Sequence, residues 1–191
     1  DGEPLHNPPM KKINITINIF QKSDGTGNFP DNEETRDRFR QILIWVNNIY
    51  KVGVPCDPIP GVVDIDETYI SFDMGEEGSE RIYFYQNDNL WSETSGGDLL
   101  NFIQNNYTER LENLNVFIAG TPSTNHANWP SYINLDKDLF SYIGGWYDGS
   151  HTDFGQANSL AHELGHNLQQ LHTYYGGGAS ANCDNNNEYL S

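Results

Sequence analysis

Apolar and polar positions alternate near the start of the chain. Ile13, Ile15, Ile17 and Ile19 are interleaved with Asn14, Thr16 and Asn18, a period of two that predicts a half-buried strand. Gly25, Gly27 and Pro30 break the pattern. Asp31-Asn32-Glu33-Glu34 then reads as a helix start, where acidic side chains meet the positive end of the helix dipole. Phe39, Ile42, Leu43, Val46, Ile49 and Tyr50 recur at helical spacing. They predict a helix of roughly 17 residues with one apolar face, and Trp45 on it reads as a packing residue. Gly53 and Pro55 end it. After a Pro/Gly-rich connection at 55–64, residues 68–74 and 81–86 are candidate strands around a turn at 75–78. Gly96-Gly97-Asp98 predicts a linker and N-cap for a second helix near 99–107. The continuous apolar run 114–119 predicts a central strand buried on both faces. A long polar stretch with Pro122, His126, Trp129 and Pro130 follows, then another strand at 140–147. A third helix begins near Gln156 or Asn158 and covers about 157–169. There is no internal repeat. The elements predict an α+β fold, a mixed sheet backed by two helices, with a third helix beside it. A Pro-rich polar arm at 1–11 precedes a single domain at 12–191.

The third helix carries the chemistry. Its sequence is Ala161-His162-Glu163-Leu164-Gly165-His166-Asn167-Leu168-Gln169-Gln170-Leu171-His172. His162 and His166 are one helical turn apart, so both imidazoles project from one face and can bind Zn²⁺. Glu163 is rotated about 100° from His162 and reaches water beside the metal rather than the metal. There it can take a proton and later deliver it to a leaving amine. With 6 His and 12 Glu in 191 residues, a chance His-Glu-x-x-His has odds of about one in a hundred. A third His ten residues after the first lowers this to about one in three thousand. A catalytic zinc takes three protein ligands and one open position, and His172 is the natural third. On a continuing helix His172 would lie about 240° off the ligand face. The chain must therefore leave the helix between His166 and His172.

Net charge narrows the partners. A formal charge of −17 repels phosphate backbones and anionic membranes. Nucleic acid is excluded as a partner on this ground, charge does not choose a substrate, and the oligomeric state is not legible. No apolar run reaches the roughly 18–20 residues of a membrane-spanning helix. No signal peptide is visible and Asp1-Gly2-Glu3-Pro4 looks like a mature or an engineered start, while the charge is compatible with a secreted or extracytoplasmic protein. Cys56 and Cys183 allow at most one internal disulfide.

The His162-Glu163-x-x-His166-x₅-His172 pattern resembles the metzincin clan of zinc peptidases, and within it the pappalysins. In that family the third His is followed by Thr, a Gly-rich stretch, a Cys and an acidic loop. Here these are Thr173, Gly176-Gly177-Gly178, Cys183 and residues 184–191. Residues 114–120 resemble the family's central strand. His126-Ala127-Asn128-Trp129-Pro130 resembles its edge strand above the cleft. The likeness covers roughly 110–191. It implies a metzincin-like upper lobe with a twisted mixed sheet, two backing helices and an active-site helix. It further implies a zinc endopeptidase with Glu163 as general base and acid, often with calcium near the glycines. Two positions depart from the pattern. Gln169 stands where metzincins carry a turn Gly, at a cost of about 1 kcal/mol for a left-handed residue. The methionine turn expected after the third His has no counterpart, since Met10 and Met74 lie upstream. The lower lobe is therefore expected to be short or missing. The family pairs the Cys after the glycines with a downstream Cys, so Cys183 is free or joins Cys56.

Other readings of the same residues stay open. Asn187-Glu188-Tyr189-Leu190-Ser191 matches the Asn-Glu-x-x-Ser segment of thermolysin-like gluzincins, which makes Glu188 a rival third ligand. Asp184, Asn185, Asn186 and Asn187 offer oxygen ligands suited to Ca²⁺, and read equally as a turn. His6 and His151 have no partner pattern, and Gly25-Thr26-Gly27 lacks a phosphate-loop framework. Beyond a peptidase, the chain is compatible with a non-catalytic truncated module or a zinc amidase.

Overall fold

A computed structural model describes residues 9–51, 69–121, 125–128, 139–148 and 152–168. In order these form β1 (Lys11–Gln21), α1 (Glu33–Lys51), β2 (Ile70–Asp73), β3 (Ile82–Gln86) and α2 (Asp88–Trp91). Then come α3 (Gly96–Asn106), β4 (Leu114–Ala119), β5 (His126–Ala127), β6 (Phe140–Gly144) and α4 (Asp153–Asn167). The fold is α+β, a mixed six-stranded sheet with four helices among the described residues. The sheet runs β2-β1-β4-β6-β5. β3 also pairs with β1, through Ile17–Gln21, while β2 pairs with Lys11–Asn14. β2 and β3 thus follow one another along the side of β1 away from β4. All pairings are parallel except that of β5 with β6.

β1 is a central strand, which corrects its reading as half-buried. Ile15, Ile17 and Ile19 face α1 and α4 in one apolar core with Ile42, Val46, Leu160 and Leu164. Thr16 and Asn18 are also fully buried. They belong to a hydrogen-bonded layer: Asn18 Nδ2 donates to Asn115 Oδ1 (3.0 Å), and the Tyr85 hydroxyl donates to Asn18 Oδ1 (2.9 Å). Asn113 Nδ2 donates to Thr16 Oγ1 at 3.2 Å. A buried amide is tolerated when so satisfied. Beyond this layer α3 packs Leu99, Leu100 and Ile103 against Phe20, Phe117 and Tyr142. The sheet is therefore covered on both faces.

Several boundaries move for local reasons. α1 starts where foreseen, with Asn32 Oδ1 accepting from the Thr35 N–H (2.9 Å). α3 begins at the glycines themselves, because Ser95 supplies the cap. β6 stops at Gly144, since Gly145 takes φ +69° and a short 3₁₀ turn follows at Trp146–Asp148. α4 begins at Asp153 rather than near 157, capped by Thr152 Oγ1 accepting from Gly155 N–H (3.2 Å), and ends at Asn167 rather than 169. Lys11, assigned to the arm from sequence, is the first residue of β1. Trp45 is exposed and meets Phe154 edge to face at 5.5 Å.

Candidate metal centre

α4 lies against the sheet beside α1 because Ala157, Leu160, Ala161 and Leu164 recur on one side of it and enter the core. Two polar ties fix it at either end of that contact. Arg38 on α1 donates to Asp153 (2.8 Å) and to Gln156 (3.3 Å) at the start of α4. In the last turn of α1 the Tyr50 hydroxyl donates to Ala161 O (2.9 Å), one residue before His162.

This placement brings His162, Glu163 and His166 together. The Nε2 atoms of His162 and His166 stand 3.1 Å apart, with the ring planes at 82°. Two nitrogens each about 2.0–2.1 Å from one ion, at a tetrahedral angle, would be about 3.3 Å apart. The pair therefore fits a shared Zn²⁺. In the metal-free protein the same separation closes a ring-to-ring hydrogen bond. His162 is exposed, whereas His166 is 8% and Glu163 5% exposed. One carboxylate oxygen of Glu163, Oε2, is buried without a hydrogen-bond partner among the described residues. Burial disfavours the charged form and pushes the Glu163 carboxyl up to about 7. A buried carboxyl with an unsatisfied oxygen is costly to stability, and such a cost clusters at sites of chemistry.

His162 and Glu163 open into a cleft of about 640 Å³ lined also by Ile49, Tyr50, Asn125, Asn158, Ser159 and Ala161. Asn125 reaches the cleft from the segment before β5. Its Oδ1 accepts from the Gly144 N–H of β6 (3.2 Å), so its amide hydrogens point elsewhere. β5 is the last strand of the sheet order, antiparallel to β6. His126 on it stacks on Tyr142 at 4.7 Å, and its Nε2 accepts from Gly96 N–H.

α4 ends at Asn167, immediately after the second histidine, and Leu168 leaves the helix with φ −95° and ψ 16°. His172 lies outside the described residues, as do Gln169, Glu188, Cys56, Cys183, His6, His151 and the 184–187 segment. Among the described residues no group of three or more His, Cys, Asp or Glu is gathered that could hold a metal. Tyr50 and Asn125 as cleft-lining residues were not visible in the sequence. Tyr50 there is only a helical apolar position, and Asn125 only the start of the 125–130 segment expected to form an edge strand beside the cleft.

No family model matches the chain, and no curated protein matches it. Among solved structures, wild-type OgpA from Akkermansia muciniphila aligns with a TM-score of 0.47 at 18% identity. The alignment covers 88% of this chain and 52% of that one, so the chain spans about half the length of that protein. No helix among the described residues is long and apolar enough to cross a membrane.

Proposed function

We propose that this chain is a zinc-dependent endopeptidase that hydrolyses peptide bonds in protein substrates. The observation that carries the reading is the convergence of His162 and His166 Nε2 at 3.1 Å beside a buried Glu163 at the wall of a cleft. His162, His166 and His172 would hold the ion. A bound Zn²⁺ supplies Lewis acidity toward water and the scissile carbonyl. Glu163 takes the proton of the attacking water and passes it to the departing amine. Asn125 and Tyr50 face the same space and can orient a peptide backbone. The end of α4 at Asn167 supports His172 as third ligand, because a chain that leaves the helix there can bring residue 172 back. An antiparallel edge strand after β4, with α1 and α4 on one face of the sheet, supports a metzincin-like upper lobe of pappalysin type.

The test is elemental analysis joined to casein cleavage with and without chelator. The expected result is about one zinc per chain, cleavage abolished by chelator, and zinc lost in His172→Ala but kept in Glu188→Ala. Loss of zinc in Glu188→Ala alone would move the third ligand to Glu188. A protein with neither zinc nor cleavage would be a non-catalytic module, and the proposal would fall.

A further inference from the structure

Asn167 directly follows the second histidine, and its side chain does something packing does not require. It is 3% exposed at the end of α4. Oδ1 accepts from the Ser141 hydroxyl of β6 at 2.7 Å. Nδ2 donates in two directions, to Asn128 O just after β5 (2.8 Å) and to Phe140 O at the start of β6 (3.0 Å). The same two residues already grip each other. Asn128 N–H donates to Phe140 O (3.2 Å), and Phe140 N–H donates to Asn128 Oδ1 (2.6 Å). One amide thus closes the junction between a two-residue edge strand and its neighbour, and it does so from the helix that carries the histidines. A buried amide commits itself to fixed partners because a lost bond leaves a buried polar group short of a partner. The short ladder of β5, two paired residues, cannot by itself set that strand's place relative to α4.

We propose that Asn167 is a positioning residue that transmits the placement of the His162/His166 pair to the β5 edge, so that metal binding on α4 fixes the strand bordering the cleft. The inference rests on the metal-centre reading above. Its physical content is that His166 and Asn167 are consecutive on one rigid turn. Ordering the first ring orders the amide, and the amide holds two carbonyls of the edge junction. Misplacing a bordering strand by about 1 Å can cost about a hundredfold in turnover.

The experiment uses the whole chain with Zn²⁺ as the probe. Amide hydrogen exchange is followed with and without the metal, in wild type, Asn167→Ala and Ser141→Ala. In wild type, zinc slows exchange both at 162–166 and at 125–128, by about tenfold or more at each. In Asn167→Ala, zinc still protects 162–166 but no longer protects 125–128. Ser141→Ala removes only the hydroxyl donor and leaves protection of both segments. Where the alanine variant does not accumulate, Asn167→Ser keeps one donor and gives a reduced but measurable transfer of protection. Casein turnover per bound zinc falls at least tenfold in Asn167→Ala and stays within about twofold in Ser141→Ala. Equal protection of 125–128 in wild type and Asn167→Ala overturns the coupling. Parallel turnover losses in both variants, tracking their melting temperatures, would reduce Asn167 to a stability role and overturn it as well. If wild type binds zinc and transmits protection but cleaves nothing, the peptidase reading fails while the coupling stands.

Discussion

α1 and α4 pack on the same face of the sheet yet are built differently. α1 buries Thr35, Phe39, Ile42, Leu43, Val46 and Tyr50 and keeps its charges outside. There Arg36 pairs with Asp31 (2.5 Å), and Arg40 pairs with Glu33, Asp37 and Glu80. α4 buries Gln156, Glu163, His166 and Asn167 among its apolar residues. Amphipathic packing accounts for α1 without remainder. It does not account for α4, whose buried polar groups each need a partner. Gln156 finds Trp146 O (3.1 Å) and Asn167 finds the edge junction, but Glu163 Oε2 finds no partner among the described residues. Where a helix retains a polar group that burial opposes, stability is not what that position serves.

Changing Glu163 therefore has the largest effect on function and the reverse effect on stability. Glu163→Gln is expected to lower peptide cleavage by about 10²–10⁴-fold, with zinc content unchanged. In the metal-free protein the same variant is expected to be the more stable one at alkaline pH. Burial raises the folded-state carboxyl from 4.5 to about 7. Wild-type stability is then intact below the unfolded value and is lost as pH rises through 7. The variant escapes that loss, by up to about 3 kcal/mol. Melting curves in chelator at pH 4.5 and pH 8 check it. A gap that does not open with pH would mean that Glu163 is solvated rather than buried.

The counterpart on α1 tests packing alone. Ile42 is fully buried, and Ile42→Ala is expected to cost about 2–5 kcal/mol. Turnover per folded, zinc-loaded chain should not change, because Ile42 itself does not line the cleft, which α1 meets two turns further on at Ile49 and Tyr50. Denaturant titration beside the cleavage assay separates the two quantities. A loss of turnover matching that of Glu163→Gln would erase the contrast between the helices.

What the sequence revealed follows the same division. β4 was legible to the residue, because a strand buried on both faces reads as an apolar run, here with apolar residues at both ends and Asn115 as its one polar position. The histidine pair was legible because one helical turn is a fixed geometry. β1 was legible as a strand but not as a central one. Its Asn and Thr positions look solvated until Asn115, Tyr85 and Asn113 are brought to them from about 70 to 100 positions away. The start of α4 was hidden by Gly155, which reads as a break until Thr152 is seen to cap it. Asn167 left no local signal at all. Its partners lie 26, 27 and 39 positions upstream, and only the closed sheet brings them within reach. α2 is a single turn nucleated by Asn87 accepting from two backbone N–H groups, too short for any periodicity to announce.

The smallest expected effect gives the comparison its sharpest form, because it is a pH slope of opposite sign. Glu80, with its side chain 2% exposed, meets Arg40 of α1 at 2.6 Å. Burial alone would raise its carboxyl. That is outweighed by its own backbone N–H, by the Arg40 guanidinium and by the Gly78 N–H at 3.1 Å, which hold it below the usual glutamate range. A depressed carboxyl stabilises the fold above the unfolded value and loses that stabilisation as pH falls through the folded one. Glu80→Gln is therefore expected to cost roughly 1–2 kcal/mol at pH 7. The cost is held down because Arg40 keeps Glu33 and Asp37. The deficit should shrink toward zero on acidification, where wild type loses the same charge. Buried carboxylates against the two helices thus respond to pH in opposite directions. The one at α1 has every oxygen answered and is weakened by acid; the one on α4 has an oxygen left over and is weakened by base. Parallel melting curves of Glu80→Gln and Glu163→Gln in chelator, carried from pH 8 down to about pH 2, would show the two differences from wild type moving in opposite senses, Glu163→Gln above pH 4.5 and Glu80→Gln below it. Slopes of the same sign would mean that burial, not pairing, governs both.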